Sequence, residues 1–379
     1  MDWQLSDNWE ESFEVFLSGY DDVFMRSETR EKAKLYIRGL LADVERKNGW
    51  QLAEALNLPN PHPLQRLLNE AKWEADVMQQ GHRRRIIEEM GDKGVLAIDE
   101  SGFIKKGRAS VGVSRQYCGR IGKVDNCQVG VYVVYATPTG TAFVDRRLYL
   151  PKAWCEDGER RKQVGIPDDI EFQTKPQLAQ QMLQVAWDEG LDVRYVTGDT
   201  LYGNSPKLRA FIDNANHLYV LGIGSAHHAD YKGIRQALSQ LVHYIPTDQW
   251  QQLAITLAET GWVGYDWVAV RVTLEKEAID EQWLLIRRSL SETPELDFFV
   301  SNAPHDTPLT ELAAVASMRH EIEQAFEEAK GQFGLADYEV RTWHGWHRHM
   351  TLCFLAHLWL TLLATDDREK KATSSLDEL

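Results

Sequence analysis

Two short apolar runs, well separated in the chain, end in the same way. Gly94-Val-Leu-Ala-Ile-Asp-Glu-Ser-Gly-Phe103 carries four apolar residues up to Asp99 and then a Ser-Gly pair. Val193-Arg-Tyr-Val-Thr-Gly-Asp199, followed by Thr-Leu-Tyr-Gly203, repeats the pattern. A short apolar run closed by turn residues reads as a buried strand. Each strand therefore delivers an aspartate near its exit, which points to one sheet with a shared site at its edge. A third carboxylate, Glu323, lies far downstream on a segment of helical periodicity.

The surrounding pattern is mixed α/β. Residues 1–90 read as helices, over Arg30–Leu41, Trp50–Leu56 and Pro63–Met90, with Pro59, Pro61 and Pro63 as breaks. Gly49–Leu56 has the look of the first helix of a helix-turn-helix, so this region is a candidate DNA-binding domain. Residues 91–224 alternate strand and helix. Val129–Ala136 and Ala142–Leu150 form a hairpin around Pro138-Thr-Gly140, and Lys175–Glu189 and Ser205–Asn216 are helices. Residues 225–308 read as a β-rich insertion, with Trp262–Thr273, Gln282–Ser289 and Glu292–Ser301 as strands. Residues 309–365 return to helix over Leu309–Gly334 and His347–Ala364, and 366–379 reads as a disordered tail.

Charge narrows the function. The formal net charge is -15, which excludes a uniformly basic polyanion binder. Residues 103–123 break that rule: Lys105, Lys106, Arg108, Arg115, Arg120 and Lys123 occur there without a single acid. Beside a carboxylate site, such a stretch suits phosphate contact. The first 31 residues hold nine acids and only Arg26 and Arg30 as cations, and are expected to face away from DNA or to occupy its groove. The four cysteines show neither a CxxC pair nor zinc-ligand spacing. Reduced thiols, no secretory signal and no membrane-length apolar run give a cytoplasmic expectation. Asp99, Asp199 and Glu323 together suit two Mg²⁺ or Mn²⁺ ions, because hard cations take carboxylate oxygens and leave room for phosphate.

These residues carry a family resemblance. Val95–Gly107, Asn126-Cys-Gln-Val-Gly130, Leu148-Tyr-Leu-Pro151, Val196-Thr-Gly-Asp199, Glu323–Gly331 and Tyr338–Met350 resemble insertion-sequence transposases of the DDE superfamily, in the IS-four-like branch. The resemblance implies an RNase H-like mixed-sheet catalytic core with an N-terminal helical domain and a β-rich insertion. It implies an enzyme that nicks transposon ends and joins them to target DNA, with Asp99, Asp199 and Glu323 as catalytic and metal-binding residues. It further implies DNA as partner, at least two subunits at synapsis, and no membrane. Relatives carry Tyr-x2-Arg-x3-Glu-x6-Lys around the glutamate. Arg319, Glu323 and Lys330 match it as candidate DNA-end clamps, while Ala316 stands at the tyrosine position. Trp262, Trp267 and Trp283 of the insertion are candidates for stacking on a frayed base. Two other readings share the fold: a nuclease that cuts without integrating, and a DNA-binding regulator that has lost turnover.

Overall fold

In the structure, a computed structural model, residues 9–258, 261–274 and 281–377 are described. The chain opens with five helices: α1 (Trp9–Ser18), α2 (Ser27–Leu40), α3 (Gly49–Ala55), α4 (His62–Asn69) and α5 (Ala75–Met90). The sequence pattern suggests one helix over Pro63–Met90, but the chain turns between α4 and α5. Trp73 causes this: its indole is buried and its Nε1–H donates to the Leu67 carbonyl at 2.9 Å, folding the chain back on α4. The acids of α1 face α2, where Glu14 pairs with Lys34 at 2.9 Å and with Arg38 at 3.4 Å. These pairs neutralise cations of the neighbouring helix.

The central sheet follows. Strand β1 (Val95–Ile104) is joined through the edge strand β2 (Ser114–Cys118) to β3 (Lys123–Thr137) and β4 (Gly140–Leu148). Short helices α6 (Lys152–Cys155) and α7 (Gly158–Val164) lead to α8 (Lys175–Asp188), whose start carries a Thr174/Gln177 capping box. Then come β5 (Tyr195–Gly198), α9 (Thr200–Gly203), α10 (Pro206–Asn214) and β6 (Leu218–Gly222). β1 runs antiparallel to β3 and β3 to β4, while β5 lies parallel to β1 and β6 parallel to β5. The order β4-β3-β1-β5-β6, with its helical crossovers, is the RNase H-like arrangement.

Beyond β6 come β7 (His228–Tyr231), β8 (Ile234–Ala237), α11 (Leu238–Leu241), β9 (Gln251–Ala258), β10 (Gly261–Leu274), β11 (Gln282–Ser289) and β12 (Leu296–Ser301). This region is strand-rich, as expected, but it is not a lobe set beside the core. β12 pairs with β6 through Val300 and Leu221, so the insertion extends the same sheet. The chain closes with α12 (Leu309–Ser317), α13 (Arg319–Gln332) and α14 (Trp343–Asp377). The single helix expected over Leu309–Gly334 is broken at Met318. The tail expected to be disordered from residue 366 is helical as far as Asp377. Its first residues, Asp366-Asp-Arg-Glu-Lys-Lys-Ala372, hold no Gly or Pro and suit helix extension.

α14 organises the interior. Phe354 stacks on Phe143 of β4 with ring centres 4.8 Å apart, and Trp359 meets Phe13 of α1 edge-on at 5.0 Å. Its buried Arg348 donates to the carbonyls of Leu68 and Trp73 at 3.0 and 2.7 Å. The N-terminal helices thus share one core with the sheet. Among the described residues no helix is long and apolar enough to cross a membrane.

Candidate active site on the sheet

The register places the two aspartates. β1 and β5 pair in parallel as far as Ile98 and Gly198, so Asp99 and Asp199 follow side by side where that pairing ends. The sequence suggests that β1 stops near Asp99. Instead Ser101-Gly102 continue the strand against Gly130 and Val129 of β3. Gly102 is required there because a Cβ would press on the Sγ of buried Cys118, 2.6 Å away. Asp199 leaves β5 in extended conformation and caps α9, accepting the Leu201 amide at 2.8 Å. Gly203, at the end of that turn, packs so closely on the Gly222 carbonyl that a Cβ would overlap it.

Cross-strand partners share a sheet face, and Asp99 is opposite Tyr132. Tyr132 and Phe143 both meet Phe326 of α13 edge-on at 5.2 Å. Asp99 therefore faces α13. On that helix Arg319, Glu323 and Lys330 fall within about 40° of one another at 100° per residue. The electrostatics agree with this placement. Burial raises the Asp99 carboxyl to about 7; the Glu100 amide opposes this, and the charges of Asp199 and Glu100 add to it while Arg319 counters. Asp199 is also raised, by burial first and then by Glu100. The Lys330 ammonium is lowered by burial and by Arg120, with Asp99 opposing. Lys330 is thus near enough to both Asp99 and Arg120 to feel their charges.

Glu323 shares this face without meeting the aspartates. Its half-exposed side chain accepts from Arg319 at 3.3 Å, a one-turn ion pair. Among the described residues no three His, Cys, Asp or Glu side chains converge as a metal cluster. Asp99 and Asp199 make no ion pair among the described residues, and their mutual repulsion leaves an uncompensated demand for positive charge. Two adjacent carboxylates in that condition fit a hard divalent cation.

Sequence reasoning missed Glu100. It points to the opposite sheet face, where Lys175 donates to it at 2.7 Å and the Tyr202 hydroxyl at 2.9 Å. This holds a third negative charge close to both aspartates. The acid directly after Asp99 was visible in the sequence; its partners from α8 and α9 were not.

The basic stretch divides. Lys106, Arg108, Arg115, Arg120 and Lys123 are exposed. Lys105 turns inward: its ammonium donates to the Tyr338 carbonyl at 2.9 Å and sits 3.4 Å from that ring's centre. In the run Arg83-Arg84-Arg85 of α5, Arg83 is buried and holds Glu189 with two bonds of 2.7 and 2.8 Å.

The tryptophans are corrected most. Trp267 is fully buried with Leu285, Phe299, Leu312 and Ala316, so a base-stacking role for it is dropped. Its strand is flanked by β9 and β11, which leaves that indole in the core of the sheet. Trp283 is half-buried, donates to the Pro304 carbonyl at 3.1 Å and stands under Arg271. The side chain of Trp262 lies outside the described residues. Ala316 belongs to the same packed cluster as Trp267, and a tyrosine there would have to displace it. Trp346 is buried in the first turns of α14.

Comparison with known proteins fits this geometry. A family described as DDE superfamily endonuclease matches residues 19–235, more than half of the chain. A second, described as Transposase DDE domain, matches residues 171–359. A probable transposase for insertion sequence element IS701 from Microchaete diplosiphon is 24% identical over 326 residues, spanning 85% of this chain and 80% of that protein. Among solved structures, a piggyBac transposase synaptic complex with hairpin DNA aligns over 96% of this chain and 68% of that one, at 10% identity and a TM-score of 0.43. The NurA nuclease from Sulfolobus solfataricus aligns over 59% of this chain and 73% of that one, at 12% identity and a TM-score of 0.28.

Proposed function

The chain belongs to the DDE superfamily of endonucleases and is a DNA transposase of the insertion-sequence kind, and from that premise we propose that Asp99, Asp199 and Glu323 cut transposon ends and join them to target DNA. The observation that carries the assignment is the pair of aspartates at the end of β1–β5 pairing, beneath the face of α13 that bears Arg319, Glu323 and Lys330.

Asp99 and Asp199 are the residues that would hold Mg²⁺ or Mn²⁺, with Glu323 completing the set once Arg319 gives up its pairing to DNA phosphate. A pair of such ions, when bound, stabilises the attacking and leaving oxygens of an in-line phosphoryl displacement. The protein's own groups supply position and charge. Arg319 and Lys330 bind phosphates on one side of the scissile bond, and the exposed cations of residues 106–123 bind the strand on the other. Lys175 and Tyr202 hold Glu100 off the reacting face, so the site keeps its negative charge without adding a mobile donor. Water attacks in the nicking step and the freed 3′-hydroxyl in the joining step, with no covalent enzyme intermediate. Two subunits would act together at synapsis, one for each end.

The test is purified protein with end-labelled DNA carrying the terminal inverted repeats of its own element and Mn²⁺. Nicked and joined products are expected. Nicks without joining would assign a nuclease, and a bound complex with neither product would assign a regulator.

A further inference from the structure

The β2–β3 hairpin has one pinned face and one bare face. On the pinned face, Gln116 donates to the Cys127 carbonyl at 2.9 Å, and Cys118 is buried against Gly102. On the bare face, Tyr117 and Val124 are direct cross-strand partners, and Arg115 follows Tyr117 on the same side. Tyr117 is 57% exposed and Val124 53% exposed. An aromatic ring and a β-branched side chain paired in water are costly to display on a strand at the sheet edge. Exposed Arg115 on the same face and exposed Arg120 in the adjoining turn flank them, in a chain of net charge -15. The turn itself is open. A Cβ at Gly119 or Gly122 would meet nothing within 4 Å. Arg120 of that turn is close enough to lower the Lys330 ammonium, which Asp99 raises. Val124 lies on the same face of β3 as Tyr132, the partner of Asp99, so the bare face belongs to the carboxylate face of the sheet.

We propose that this hairpin is a platform for an unpaired base at the DNA end, stacked on Tyr117 and Val124, with Arg115 and Arg120 on the flanking phosphates. The inference rests on the transposase reading above and names a subsite within it. Charge and shape select the occupant: an apolar pair flanked by cations matches a base between phosphates. An aromatic platform also suits sequence-tolerant binding, because every base has a π face. The role sought among the insertion tryptophans falls here to a tyrosine, on an element that precedes the second aspartate.

The experiment measures affinity of the full-length protein for two probes in EDTA, a blunt duplex and the same duplex ending in an unpaired fork. Tyr117→Ala is expected to weaken fork binding roughly five- to 150-fold and to leave blunt-duplex binding unchanged. Tyr117→Phe restores the fork preference, since the ring and not the hydroxyl does the stacking. Arg115→Gln with Arg120→Gln should weaken both probes and flatten the salt dependence for both. The side chain of Tyr117 is exposed, so a thermal melt of Tyr117→Ala should match that of the parent. Unchanged fork binding by Tyr117→Ala overturns the platform while leaving the transposase reading intact. A change in the size of the DNA-free protein with Tyr117→Ala overturns it in favour of a self-contact. Failure of the parent protein to bind either probe overturns the platform together with the DNA-binding reading beneath it.

Discussion

Lys105 and Lys106 are adjacent in sequence and opposite in role, and separating them is a sharp test of the site. Charge counting alone would assign both to phosphate, so neutralising the pair would lower the slope of log affinity against log salt by roughly two. The structure gives Lys105 to the Tyr338 carbonyl and ring and leaves only Lys106 in solvent. Lys106→Gln should then lower the slope by about 0.9, a three- to fourfold smaller loss of affinity between roughly 50 and 200 mM salt. Lys105→Met should leave the slope as it is. Its signature is stability against pH. Burial lowers the Lys105 ammonium from 10.5 to about 8, with Glu339 and Asp337 opposing. Between those values the unfolded chain holds the proton and the folded chain has released it, so stability rises with pH. The gap corresponds to about 3 kcal/mol, acquired from just below pH 8 to just above pH 10.5. Urea melts of parent and Lys105→Met across that range should diverge by that order, with the parent gaining. A constant difference across the range, together with equal salt slopes lost by the two variants, would refute the inward placement of Lys105.

Two further outcomes follow from the core. Arg83→Ala removes the partner of Glu189 and leaves Asp145, 3.6 Å from Arg83 and almost fully buried, with less cation around it; a loss of about 3–5 kcal/mol in urea unfolding is expected, and less than about 1 would contradict it. Trp267→Ala should destabilise by about 3–5 kcal/mol, with a lowered melting temperature, and should impair every DNA activity only in proportion to the protein unfolded; selective loss of end processing in a fully folded variant would return that indole to the DNA.

Local pattern made much of this architecture readable. Apolar runs ending in Asp99 and Asp199 marked the right strands, and the Pro138-Thr-Gly140 turn marked the hairpin, because period and turn chemistry are properties of neighbouring residues. What escaped were pairings between distant segments. The insertion reads as a separate lobe until Val300 is placed against Leu221, a contact that no local signal announces. Helix α4 ends without Gly or Pro, because Trp73 bonds back to Leu67. The three tryptophans carry equal weight in sequence, yet Trp267 is sealed between strands and Trp283 is half out. Charge misled in the same way: Lys105 reads as a phosphate contact, and it is held inside by Tyr338, far along the chain. At the site, the periodicity of α13 placed Glu323 with Arg319 and Lys330, but an i,i+4 salt bridge and a catalytic glutamate share that spacing.

Glu323 is therefore where the account is most exposed. The decisive measurement is the Mg²⁺-dependent cleavage rate of Glu323→Gln on labelled transposon-end DNA, taken at protein concentrations that saturate binding. The assignment of Asp99, Asp199 and Glu323 to one reaction requires this rate to fall by roughly a hundredfold or more, with end binding retained. Cleavage by Glu323→Gln at the parent's rate would make Glu323 only the surface partner of Arg319 and would remove it from the active site.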